Sequence, residues 1–240
     1  MKGMERGIVL FKKVNPNEPM EEMHKRVMKG LSKIEAPLGL KDSDIPETPD
    51  FGTRLSAVYF TKNIKTKGVE IRGRYSWRET NNWDDLVYEF RSSYKLIDYK
   101  RVISVDLPKV IKIYEPYEVQ GYFLNVGYVG AYEEGTTPET RTYKESINPA
   151  YNKLKSMGII PDELGKNLFT LQPVMYFSGE MCKEVIRLSR DEIIKRLEGK
   201  AQKVFSLLDG VYIIFNDKVE MSYEEFKEMN DIYKPILGLI

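Results

Sequence analysis

The sequence predicts an α+β protein: a mainly antiparallel, aromatic-rich sheet with helices packed on it. Three observations predict it. Strand-like and helix-like stretches alternate irregularly with no repeated strand–helix–strand unit, hairpin spacings recur, and 16 Tyr with 10 Phe supply side chains suited to a pleated, half-buried surface. Hydrophobic residues at 42% and charged residues at 30% are enough for a real core and far from a disordered composition. With 240 residues, one α+β domain over 1–240 is expected, with a weak subdivision near 115 as the alternative.

Residues 7–14 read as a strand ending at the turn-forming Asn15-Pro16-Asn17. A helix follows, with Asn17 as its N-cap, Pro19 in its first turn, and one apolar stripe formed by Met20, Met23, Val27, Leu31 and Ile34. The stretch 36–52, rich in Pro, Gly and Asp, reads as a surface connection. Strands are expected over 55–62 and 69–77. In the second, Val69, Ile71, Gly73, Tyr75 and Trp77 alternate with Glu70, Arg72, Arg74 and Ser76, so the two sets lie on opposite faces.

Residues 83–90 read as a short helix capped by Asn82, and 94–105 as extended chain. Asp106 is then an expected N-cap, opening a helix that Pro116 ends. The aromatic and β-branched run 117–132 reads as a central strand, followed by a helix from Asn148-Pro149 to a C-terminal glycine, Gly158. Next come a short strand over 174–177, a helix over 179–187, and a capping box, Ser189 with Glu192. Strands 203–208 and 211–215 flank Asp209-Gly210, a strong hairpin signal. A second capping box, Ser222 with Glu225, carries Met221 and Phe226 as a hydrophobic staple, and its helix is expected to stop at Pro235.

The net charge of +1 gives no sustained basic field for nucleic acid or an anionic membrane. Charge is nonetheless uneven: 54–78 is basic apart from Glu70, and 115–145 is acidic apart from Arg141 and Lys144. The one cysteine, Cys182, excludes an internal disulfide and sits in an apolar run as a buried hydrophobe. Residues 1–14 hold only a short apolar run, and no stretch approaches the roughly 18 apolar residues of a membrane span. A cytoplasmic protein is expected.

His24, the only histidine, lies in the amphipathic helix, so neither a histidine-based triad nor a zinc cluster of several histidines can form. No GxxxxGK[ST] loop is present, and no GxGxxG follows a strand. Pro49-Asp50 with Asp98-Tyr99-Lys100 formally matches the carboxylate and lysine pattern of metal-dependent nucleases, but the spacing is long and Asp50 sits in a proline-rich connection, so it reads as chance. Arg72, Arg74 and Arg78 beside Trp77 could contact phosphates and bases, yet a solvated sheet face is the simpler account. No catalytic residue, metal ligand or cofactor is expected.

A set of structural motifs carries a resemblance: Leu107-Pro108-Lys109-Val110-Ile111 leading to Glu115-Pro116-Tyr117, the strand 174–177 running into Ser178-Gly179, the hairpin Leu208-Asp209-Gly210-Val211-Tyr212-Ile213, and Ile232-Tyr233-Lys234-Pro235. Over about half of the chain these resemble the immunity proteins of bacterial polymorphic-toxin systems, in particular the type VI immunity family and its relatives. The resemblance implies a cytoplasmic α+β protein that binds and blocks a cognate protein toxin, with no cofactor, no reaction of its own and no membrane; nucleic acid is not an expected partner, and homo-oligomerisation is left open. The alternatives are a nuclease-like metal-dependent carboxylate enzyme, or a phage-borne or structural protein. For docking, the sequence points to Tyr132 as an anchor and to Glu133, Glu134 and Glu139 in the acidic loop that follows the aromatic run.

Overall fold

The computed structural model describes residues 6–49, 57–63, 69–79, 83–90, 97–123, 149–159 and 170–239. The chain is α+β and divides into two compact units, Met1–Gly121 and Tyr122–Ile240.

In the first unit, β1 (Arg6–Lys13), β2 (Ala57–Asn63), β3 (Val69–Ser76), β4 (Trp83–Phe90) and β5 (Glu118–Tyr122) lie in the order β2-β3-β4-β1-β5, and the β2–β3, β3–β4 and β4–β1 pairs are antiparallel. The alternation of β3 holds from Val69 to Tyr75, with Val69, Ile71, Gly73 and Tyr75 buried and Glu70, Arg72 and Arg74 half-buried or exposed; it fails at its end, where Ser76 is buried and Trp77, past the strand, is half-buried. On β1 and β4 the register places Ile8, Leu10 and Lys12 opposite Tyr88, Leu86 and Asp84, so these side chains share the face that carries Tyr75.

Helix α1 (Met20–Leu31) covers that face with its methionine-rich stripe, Met20, Met23, Val27, Met28 and Leu31 all being buried. Its N-cap is Pro19; Asn17 instead takes part in a turn, its N–H donating to the Asn15 side chain at 3.0 Å. The connection beyond α1 is not purely superficial, because Ile34, Leu38 and Leu40 are core residues.

Two sequence expectations are corrected here. Residues 83–90 form strand β4, not a helix. Asp84, Leu86, Tyr88 and Phe90 are buried on one face and Trp83, Val87 and Glu89 on the other. A strand flanked on both sides and covered on both faces loses the alternation that announces a strand. Residues 94–105 are not extended where described: helix α2 (Tyr99–Arg101) runs through a π-helical turn (Val102–Asp106) into α3 (Leu107–Tyr114). The cap is Asp98, whose carboxylate accepts the Arg101 N–H at 3.0 Å, and Asp106 lies inside the helix. The extra residue of the π turn displaces the 3.6-residue period, which left Val102-Ile103-Ser104-Val105 looking like a β-branched strand. Glu115, with φ 54°, ends α3 just before Pro116.

In the second unit, α4 (Pro149–Ser156) ends near Gly158, which has φ 72°. Strand β6 (Val174–Phe177) leads into α5 (Gly179–Met181), capped by the Ser178 hydroxyl, and a π-helical turn (Cys182–Ile186) closed by Arg187 at φ 60°. Helix α6 (Arg190–Leu197) opens on the expected capping box of Ser189 and Glu192. Strands β7 (Lys203–Leu207) and β8 (Gly210–Ile214) form an antiparallel hairpin, and β8 pairs antiparallel with β6, giving β6-β8-β7.

The hairpin loop is Leu208-Asp209, one residue earlier than expected. Leu208 adopts φ 52°, whereas Gly210 is the first residue of β8 and pairs with Leu207. Helix α7 (Tyr223–Leu237) opens on the second capping box, with Met221 and Phe226 both buried as a staple requires. Pro235 lies inside α7, and Gly238 at φ 72° is the true stop. Of the strand expected over 117–132, β5 accounts for the described part; the remainder lies outside the described residues.

Candidate functional site

A set of paired charged side chains lies where β3 meets β4. Arg74 sits opposite Asp85 in the antiparallel register and pairs with it at 2.7 Å. Arg72 pairs with Glu89. Just past β3, Arg78 Nη1 donates to both carboxylate oxygens of Asp84, at 3.1 and 2.9 Å, and the Ser76 N–H donates to Asp84 Oδ1 at 2.8 Å. Burial pushes the carboxyls of Asp84 and Asp85 up from their ordinary values, and the facing Arg78 and Arg74 guanidinium groups pull them back down.

Each arginine that the sequence offered for phosphate contact is therefore paired with a carboxylate of β4, Arg72 and Arg74 on the outer face and Arg78 with Asp84 on the face that carries Tyr75. Phosphate binding draws on cations free to exchange partners. A ladder of matched ion pairs, half-exposed at Arg72 and Arg74, suits instead the polar surroundings of a protein surface. The acidic half of this ladder is not legible when 83–90 is read as a helix, since Asp84 and Asp85 then have no strand partner. In the antiparallel register Arg74 lies opposite Asp85, while Arg72 lies opposite Val87 and reaches Glu89 diagonally.

His24 is held in the core through both ring nitrogens. Its Nε2 donates to the Pro46 carbonyl at 2.7 Å, which leaves Nδ1 to accept from the Tyr75 hydroxyl at 3.3 Å, and the rings meet edge to face at 5.7 Å. Burial holds the imidazole below its ordinary pKa, partly offset by the Pro46 carbonyl. It is a neutral core histidine tying α1 to β3 and to the connection after α1. Cys182 is buried in the π turn after α5, with its thiol toward the Phe177 carbonyl at 3.8 Å and burial pushing it up to about 12, far from thiolate reactivity.

In the nuclease-like pattern, Asp98 is occupied as the cap of α2, Lys100 is exposed on the same helix, and Asp50 lies outside the described residues. Among the described residues no three of His, Cys, Asp and Glu gather as they would around a metal ion. The expected docking residues Tyr132, Glu133, Glu134 and Glu139 lie outside the described residues. Among the described residues no helix is long and apolar enough to cross a membrane.

Glu118, at the start of β5, was not anticipated. It is fully buried; the Gln120 amide donates to Oε1 at 2.8 Å, while Oε2 has no hydrogen-bond partner among the described residues. Burial pushes its carboxyl up from 4.5 to about 7. A carboxyl with a raised folded-state pKa stabilises most below its unfolded value, and that stability is lost as pH rises through the folded value. Raising the pH from 5 to 8 should thus cost about 2.5 kcal/mol of unfolding free energy. Glu118→Gln should remove most of that slope. Denaturant titrations of the two proteins at both pH values decide the matter, and parallel pH profiles would rule out a strained buried carboxylate.

The comparisons with known proteins address the fold. No protein-family model matches the sequence, and no curated protein matches it. A solved structure described as "Pseudomonas aeruginosa T6SS protein PA0821" is similar in fold, with a TM-score of 0.53 and 9% identity over 98% of this chain and 76% of that one. At that identity the likeness is one of fold.

Proposed function

We propose that this chain is an immunity protein of a type VI secretion toxin system, which binds a cognate toxin and blocks its activity without catalysing a reaction of its own. The observation that carries the proposal is the fold likeness, over nearly the whole chain, to a protein described as a T6SS protein. The motif resemblance noted in the sequence points the same way. So does the engagement of His24, Cys182 and Asp98, three groups that could do chemistry, in core packing or capping. A neutralising protein needs surface complementarity, an interface of about 1,600 Å² in total with a few anchoring side chains, and no reactive centre.

The test is survival. Toxin-domain proteins encoded in the same gene neighbourhood are expressed in a laboratory host with and without this chain. Expected is that at least one arrests growth alone and that co-expression restores it by several orders of magnitude in colony count. Growth arrest by every such toxin, undiminished by this chain, would refute the proposal. The acidic segment with Glu133, Glu134 and Glu139 belongs to this reading as a docking element for a basic toxin face.

A further inference from the structure

The helical run Tyr99–Tyr114 contributes Lys100, Arg101, Val105, Lys109 and Lys112 to the exposed surface, and no acid. Its one acidic residue, Asp106, is buried between Arg101 at 3.6 Å and Lys109 at 3.2 Å. Arg101, Val105, Lys109 and Lys112 follow one another at steps of four, four and three, which aligns them in a row along the helix. In that row Val105 is 45% exposed, an apolar side chain between Arg101 and Lys109 along the helix, and it lies in the π-helical turn.

Helix α1 extends the patch. Arg26 donates to the Ile113 carbonyl at 2.7 Å, and Gly30 lies so close to Ile113 that an added Cβ would be 2.4 Å from its Cγ2. Next to that contact stand exposed Lys29 on α1 and exposed Lys112 on α3, neither paired with an acid among the described residues.

We propose that this outer face of α1 and α3 is a docking surface for an acidic face of a protein partner, with Val105 as the apolar anchor and Lys29, Arg101, Lys109 and Lys112 as the charged rim. A protein partner is favoured because the patch has the anatomy of a protein interface, an apolar centre within a polar rim. Duplex phosphates would leave Val105 with nothing apolar to meet, and the +1 net charge supplies no wider basic field to hold a polyanion. The inference rests on the immunity reading for the identity of the partner, which is the toxin.

Stopped-flow association is measured between the toxin identified by the survival assay and four proteins: the wild-type chain, Lys29→Glu with Lys112→Glu, Val105→Asp, and Glu133→Lys with Glu134→Lys. Unfolding midpoints confirm that the variants fold. Expected is an association rate at least about ten-fold slower at low salt for the lysine reversal, with a flatter salt dependence, and faster dissociation for Val105→Asp. Rates unchanged in both, or slowed only by the glutamate reversal, overturn this surface while leaving the immunity reading intact. Wild-type binding to a 20-base-pair duplex or to phosphatidylserine vesicles that the lysine reversal abolishes, with toxin binding unmoved, reassigns the patch to a polyanion and overturns it too. If the wild-type chain binds no toxin, the immunity reading fails and this inference with it.

Discussion

Replacing Gly210 by valine is expected to lower the unfolding free energy by about 4 kcal/mol, which combines overpacking against fixed backbone with displacement of paired strands. A Cβ at this position would lie 2.0 Å from the Phe177 carbonyl oxygen and 2.8 Å from the Ser178 Cα. Both are main-chain atoms at the end of β6, held by the β6–β8 ladder in which Phe177 pairs with Val211. Neither can rotate aside as a flexible side chain would. Because the first carbon already collides, Gly210→Ala should cost nearly as much as valine.

A second variant separates this account from a turn glycine. Leu208 is the loop residue with positive φ, at 52°, and is 43% exposed. Leu208→Gly should therefore be neutral or stabilising by up to about 1 kcal/mol. A mild Gly210→Ala together with a damaging Leu208→Gly would return the turn to Asp209-Gly210.

Asn230→Leu is expected to cost about 4 kcal/mol for a different reason. The Asn230 amide on α7 behaves as a piece of strand backbone: Oδ1 accepts the Leu171 N–H at 2.7 Å, and Nδ2 donates to the Leu171 carbonyl at 3.0 Å and to the Phe226 carbonyl at 3.0 Å. Leu171 is fully buried and Asn230 nearly so. A leucine of similar size keeps the volume and strands the buried N–H and C=O of Leu171, each worth roughly 1 to 3 kcal/mol when left unpaired. Asn230→Asp keeps one acceptor for the Leu171 N–H and turns the other oxygen on two carbonyls, so it too should destabilise. Chemical denaturation of the purified variants measures both losses. A cost under about 1 kcal/mol for Asn230→Leu would mean that the segment at Leu171 finds other partners.

How much of this was legible in the sequence follows from the range of the interactions involved. Both capping boxes, the staple of Met221 and Phe226, and the alternation along β3 are encoded within a few residues, and each was readable. Strand β4 was not, because its identity lies in its neighbours: its carboxylates are matched by Arg72, Arg74 and Arg78, and its two faces are covered by distant segments. The helix through Val102–Asp106 was hidden by one extra residue in a π turn. Gly210 was singled out correctly and for the wrong reason. Its necessity comes from Phe177, a contact made only after β6 and β8 pair, so a local rule about turns could reach the residue without reaching its cause.

The same limit governs the candidate sites. The arginines of β3 were visible, and their neutralising partners were not. The basic row around Val105 is hidden when 94–105 is read as extended chain, because Arg101 and Val105 then belong to a different element from Lys109 and Lys112. Glu118 gave no sequence signal at all, since burial of a single carboxylate depends on everything packed around it.

The central claim, that this chain neutralises a toxin by binding it, is tested most directly by titrating the purified toxin with the purified full-length chain in a calorimeter while following the toxin's activity in the same mixtures. The account predicts one-to-one binding with Kd in roughly the nanomolar range, and toxin activity that falls to background at equivalence. Titration without binding heat at micromolar concentrations, with the toxin fully active beside an excess of this chain, would contradict it.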